Sequence, residues 1–220
     1  RARECRSVGP AHNVAYYAPA VSWQPTETAE ITLLSSTQEH ATGDSPRPYQ
    51  DANGKSTTFW TGDEDCDKLK QQQYSGGYEA KYEINETFSL RQNLRYTDLN
   101  TINQYVSKTL QSDGYTFSRT AYGIYEDSQH ITVDTSGQAR FNTGAFEHTL
   151  IAGVDYLHID GNVEYTYGSA PDLDMRYPDY DQDINRPTNQ ITWQNTEAHQ
   201  KGVHTQNTTA TEHSARTTTR

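Results

Sequence analysis

Tyr74-Ser75-Gly76-Gly77-Tyr78-Glu79-Ala80-Lys81-Tyr82-Glu83-Ile84 carries the period that decides the fold. Every second residue (Tyr74, Gly76, Tyr78, Ala80, Tyr82, Ile84) is apolar or small, whereas Glu79, Lys81 and Glu83 stand in the alternate set with Ser75 and Gly77. Successive side chains of a strand point to opposite sides of the pleat, so a period of two sorts these residues onto two faces, one greasy and one charged.

The same alternation recurs on either side. Phe88, Leu90, Leu94 and Tyr96 share one face, broken by Gln92, against Ser89, Arg91, Asn93, Arg95 and Thr97. Only Asn85-Glu86-Thr87 separates this segment from the first, which predicts a hairpin. A second hairpin runs from Ile131 through Val133, Ala139 and Phe141, turns at Asn142-Thr143-Gly144-Ala145, and returns through Leu150, Ala152, Val154 and Tyr156. A third spans Tyr17 to Trp23, a turn at Gln24-Pro25-Thr26-Glu27-Thr28, and Ile31 to Thr37. Between the hairpins, residues 38–73, 99–130 and 158–191 are polar and rich in Gly, Pro, Asp, Ser and Tyr, which predicts long loops. Short turns alternating with long polar connections, around segments of about ten residues, are the pattern of an outer-membrane β-barrel.

Composition narrows the field in the same direction. The hydrophobic fraction is 32%, with 16 Tyr and one Met, so aromatic surface replaces the aliphatic bulk of an ordinary helical or α/β core. Eighteen basic against 29 acidic residues give a net charge of −11, with no basic patch to follow a phosphate backbone, so nucleic acid is not an expected partner. Cys5 and Cys66 are the only cysteines and form no CxxC or zinc-ligand spacing. No run of about 18 apolar residues offers a spanning helix, so a membrane crossing has to use strands. Asp179, Asp181 and Asp183 open like a calcium loop, but Ile184 and Gln190 stand where its Gly and Glu belong. His199 and His204 match no zincin spacing, and no nucleophile arrangement appears, so no catalytic residue is named. Alternation alone suits a soluble β-sandwich or solenoid, such as a β-rich binding or adhesion module, as well as a membrane barrel.

Several stretches resemble the TonB-dependent ferric-siderophore receptors of the ferrichrome and ferrioxamine kind. Tyr17-Ala18-Pro19-Ala20-Val21-Ser22-Trp23-Gln24-Pro25 is similar to their APxxxWxP strand and turn, and Asn85 through Tyr96 to their NxTxxxRQNLRY stretch. Phe141-Asn142-Thr143-Gly144 with Glu147 through Tyr156 resembles an F-x-TG…HTLL-x-GVDY hairpin, and Gln200-Lys201-Gly202-Val203 sits where QTGVY is expected. The resemblance divides the chain into an unmatched segment over 1–13, a partial antiparallel up-and-down transmembrane barrel over 14–206, and a polar tail or altered strand over 207–220. About seven strands are too few to close the barrel of about 22 strands that the family builds, and no plug domain is recognisable.

What the resemblance implies is capture and uptake without covalent chemistry. The transported ligand is a ferric siderophore that already wraps its iron, so no cofactor or first-shell metal ligand is expected from the protein. The implied setting is the bacterial outer membrane, with TonB as partner through a plug. Loop position nominates Tyr105, Tyr165 and Tyr167 as siderophore contacts, since Tyr offers rigid amphipathic area with a hydrogen-bonding tip. After Thr42-Gly43, relatives of the ferrichrome type show Tyr and Trp, whereas Asp44-Ser45-Pro46-Arg47 stand in this chain, which points to a different siderophore. A passive porin is the alternative within the membrane class.

Overall fold

The computed structural model describes residues 12–43, 48–50, 55–63, 66–180 and 182–211. They contain ten strands: β1 His12–Tyr17, β2 Ala20–Thr26, β3 Ala29–Gly43, β4 Pro48–Gln50, β5 Ser56–Trp60, β6 Lys68–Glu83, β7 Phe88–Leu110, β8 Thr116–Thr143, β9 Phe146–Asp174 and β10 Asn189–Thr211. All pairings are antiparallel, in the order β1-β3-β6-β7-β8-β9-β10, with β2 beside β3 and a separate β4-β5 hairpin. β1 pairs the upper part of β3 and β2 its lower part. The Ala18-Pro19 interruption fits, because Pro lacks the N–H a ladder needs.

The three expected turns fall within the expected stretches, the first narrowed to Glu27-Thr28 because β2 runs on to Thr26 and pairs there with Ala29. Asn85 Oδ1 accepts from the N–H groups of Thr87 and Phe88 at 2.9 and 2.8 Å, an Asx turn that closes β6 onto β7. Gly144 adopts φ +65 in the two-residue turn between β8 and β9, a conformation that L side chains rarely take.

Much of the sequence that reads as long loop is strand. β7 continues to Leu110, turns tightly, and returns as β8 from Thr116; β9 continues to Asp174. At that turn Asp113 Oδ1 accepts from Tyr115 and Thr116 N–H, both at 3.0 Å, and Gly114 takes φ +77. Hydrogen bonds from the Thr116 side chain and from those two amides hold the Asp113 carboxyl below its usual range. The 29 residues of β9 correspond to about 95 Å of chain at 3.3 Å per residue, several times the ~25 Å apolar band of an outer-membrane barrel. The far half therefore stands in water, where both faces can be polar and apolar periodicity gives no signal.

Register places the apolar residues in rows across the sheet. Val21, Leu33, Tyr78, Leu94, Val133 and Tyr156 are successive cross-strand partners. Trp23, Leu33, Tyr82, Phe88, Leu90, Phe141, Leu150 and Val154 lie on this same face and are all exposed, Trp23 at 62%. A soluble sandwich would bury that face. Among the described residues, the buried hydrophobics are Cys66, Val106, Phe117, Ala121 and Leu173, all in or against the far half. Gln92, which interrupts the stripe, is satisfied across three strands: it accepts from Tyr78 Oη at 2.7 Å and donates to Thr135 Oγ1 at 3.0 Å.

Gly77 sits on the charged face of β6, and a Cβ there would collide with the Leu94 carbonyl oxygen and lie 3.0 Å from Arg95 Cα. At neighbouring Gly76 the nearest atom is 4.0 Å away. Gly77→Ala should thus destabilise the sheet by about 1–3 kcal/mol, the usual cost of overpacking against backbone, while Gly76→Ala changes little. Urea unfolding in detergent, followed by circular dichroism, checks both; equal midpoints for the two variants would refute this β6–β7 register.

Candidate functional site

The far half of the sheet has two differently furnished faces. On the face continuous with the charged side, Tyr105 of β7 is the direct partner of Tyr122 of β8, and Tyr122 of Tyr167 of β9. The Tyr105 and Tyr122 rings stack with centroids 5.3 Å apart and planes at 18°, and Tyr122 meets Tyr165 at 5.9 Å. Tyr105 Oη and Tyr165 Oη are 3.1 Å apart. Two of the three nominated tyrosines are thus in one cluster. Tyr167 stands beside it in register and is exposed. Tyr122 is not among the nominated residues, although it joins the other rings. Its signal lies in the turn: Tyr105 and Tyr122 are equidistant from the Asp113-Gly114 step, so a hairpin centred there makes them partners.

Further along this face, toward the short turns, a groove of about 350 Å³ is lined in part by Leu34, Glu79, Arg95, Asp134, Asp155 and Leu157. These side chains alternate with the exposed apolar stripe. The arrangement is a rigid aromatic platform above a charged trough.

The opposite face of the far half is covered by chain. Phe117 packs against Tyr49 and Phe59, with centroids at 4.9 and 5.8 Å. Val106 and Ala121 pack with Cys66, Ala170 and Ile184. Tyr180 Oη donates to the Trp60 carbonyl at 2.9 Å, and Arg186 lies over the Tyr125 ring at 4.0 Å. At the centre Arg119 and Asp63, both fully buried, are 3.5 Å apart. Arg119 also donates to the Pro171 carbonyl at 2.6 Å and to Gln182 Oε1 at 3.0 Å, so one guanidinium joins β8 to the segments on either side. Asp67 accepts from Val106 N–H at 2.7 Å and from Asp63 N–H at 3.2 Å. Burial, reinforced by the charges of Asp67 and Asp63, pushes the Cys66 thiol up to about 12. Cys5 and the Asp44-Ser45-Pro46-Arg47 stretch lie outside the described residues, as does Asp181 of the acidic run.

The chain is 28% identical over 176 residues to the ferrioxamine B receptor of Salmonella typhimurium, covering 74% of this chain and 24% of that protein. It is 28% identical over 205 residues to the ferrichrome outer membrane transporter/phage receptor of Escherichia coli, covering 78% of this chain and 27% of the other. It therefore spans about a quarter of the length of these relatives. No protein-family model matches it. Among solved structures, the ferric-catecholate import receptor Fiu of E. coli in its closed form superimposes with a TM-score of 0.73 at 15% identity, over 90% of this chain and 32% of that one. The siderophore receptor PiuA of Acinetobacter baumannii gives 0.67 at 14%, over 92% and 34%. The sheet thus has the fold of a partial, open stretch of the β-barrels in these structures.

The buried pair yields a direct check. Removing one partner of a buried ion pair leaves an uncompensated charge and costs about 3–5 kcal/mol, so Arg119→Met should release both covering segments. A thiol with a pKa near 12 has almost no thiolate at pH 8, so Cys66 should label slowly with iodoacetamide in the native chain and many times faster in Arg119→Met. Cys66 favours the neutral form when folded, so its contribution is full below about pH 8.5 and lost as pH rises toward 12. Unchanged labelling in the variant would show that the pair does not hold these segments.

Proposed function

We propose that this chain, which shares sequence and fold with the barrels of TonB-dependent siderophore receptors, forms part of an outer-membrane receptor that binds a ferric siderophore for uptake. The observation that carries the ligand assignment is the Tyr105–Tyr122–Tyr165 cluster, built on three adjacent strands on the face that the charged trough continues. In a closed barrel the exposed apolar face meets lipid and this opposite face lines the interior. β10 and the β1/β2 pair each lie at an edge of the sheet. Hydrocarbon cannot satisfy their outer backbone groups, so these edges pair with further strands of a larger barrel.

A hydroxamate siderophore suits the platform on chemical grounds. Its iron is fully wrapped, so recognition needs flat amphipathic contact and hydroxyl donors rather than metal ligands. Tyr105, Tyr165 and Tyr167 supply these, with Tyr122 ordering the first two. The similarity to ferrioxamine and ferrichrome receptors favours hydroxamates, and the Asp44-to-Arg47 departure favours a siderophore other than ferrichrome. TonB and a plug domain belong to the same proposal and rest on the resemblance alone. Relatives are named receptors and transporters, in keeping with a non-catalytic role.

Replacing the matching stretch of the Salmonella ferrioxamine B receptor with residues 12–211 of this chain tests the assignment. Outer-membrane insertion with binding of a ferric hydroxamate is the expected result. Tyr122→Ala in that chimera should weaken binding about tenfold, comparable to losing one aromatic anchor of about 1–2 kcal/mol. A chimera that inserts fully yet binds no ferric siderophore would overturn the reading.

A further inference from the structure

Cross-strand register brings together a group of ligand side chains that lie far apart in the sequence. His158 of β9 and His199 of β10 are direct partners, and Glu197 lies two residues from His199 on the same face. The imidazoles stack with centroids 4.4 Å apart, and their Nδ1 atoms are 3.1 Å apart. His199 Nε2 lies 3.2 Å from Glu197 Oε1. One donor atom from each of the three residues falls within 4.8 Å of the others. Among the described residues this is the one such group. It is distant from the tyrosine cluster along the strands and on the opposite face, at the polar end of the exposed apolar stripe.

We propose that His158, His199 and Glu197 form a binding site for a borderline divalent cation, with Zn2+ as the natural occupant. Two imidazoles and one carboxylate are a donor set that zinc accepts, with bonds of about 2.0–2.2 Å and a fourth position open to water. Tetrahedral bonds of that length set ligand atoms about 3.3–3.5 Å apart, close to the 3.2 Å already present between His199 Nε2 and Glu197 Oε1. One donor atom of each residue already lies within 4.8 Å of the other two, and the exposed His199 and Glu197 side chains have room to rotate into bonding range. Bound to zinc, both imidazoles serve as neutral ligands. With His199 Nε2 on the metal, Tyr156 Oη, 3.1 Å from His199 Nδ1, takes the orienting hydrogen bond that metal-binding histidines make through their other nitrogen. Strand pairing fixes two ligands and i,i+2 spacing the third, so the sheet has already ordered the site before a metal arrives.

The full 220-residue chain in detergent, with β-sheet confirmed by circular dichroism, is titrated with ZnSO4 against a chromophoric chelator. One equivalent should bind, and His199→Asn and His158→Asn should each weaken it by on the order of tenfold or more, whereas His40→Asn should not. Zinc should also protect His158 and His199, but not His40 or His130, from diethylpyrocarbonate in the unmutated chain, read by mass spectrometry. Equal modification of His158 and His199 with and without zinc would overturn the site, and this readout needs no variant to fold. Siderophore binding is a separate measurement, so either result stands regardless of the proposed uptake role.

Discussion

Everything in this structure hangs on one constraint: five long strands, β6 to β10, keep antiparallel register over nearly their whole length. A slip of one residue would exchange the faces and send Glu79, Lys81, Arg91, Arg95 and Asp134 to the side now held by Tyr78, Leu94 and Val133. Tight turns at Asn85 and Gly144 fix the register at one end and Asp113-Gly114 fixes it at the other. Between them the backbone ladder takes the part that a hydrophobic core plays in a soluble domain, because few side chains are buried.

The balance shifts in the far half. There the strands leave the apolar band, and a sheet with two wet faces has little to stiffen it. One face is ordered by covering chain, with Phe117, Val106 and Ala121 as its apolar floor and the Arg119–Asp63 pair at its centre. The other face stays open and carries the tyrosines. Packing one side holds the strands flat enough for aromatic rings to stack in register on the other, so the buried ion pair and the aromatic platform are two sides of one structural device.

Legibility in the sequence follows the same division. The three hairpins of the apolar band are readable because burial against lipid or core writes a period of two into side-chain chemistry. The extensions of β7, β8 and β9 are not, since polar residues on both faces leave no period to detect, and polar composition resembles loop. Position alone nominates Tyr105 and Tyr165, yet their meeting through Tyr122 depends on register carried past Leu99 and His130. His158 and Glu197 illustrate the limit more sharply: 39 residues separate them, and only the β9–β10 ladder makes them neighbours.

β10 shows how far backbone pairing can override side-chain preference. It matches β9 from Asn189 to Thr211, yet on the apolar face it offers Lys201, Thr205, Asn207 and Thr209 beside Tyr156, Ala152, Leu150 and His148. A lysine at a bilayer midplane costs about 2–4 kcal/mol, but little near an interface. Lys201 is one step from the polar end, where Glu197 and His199 stand, so its ammonium can extend to water along its own stem. Val203, 81% exposed, occupies the middle of the band, and the Asn207 amide and the Thr209 hydroxyl fall toward the short-turn end. The polar residues therefore sit mainly where the band ends, and the strand satisfies its inner backbone groups on β9 at limited cost. Its outer groups set the remaining requirement: in hydrocarbon they need another strand, and that strand faces a mostly polar side-chain row rather than an apolar one.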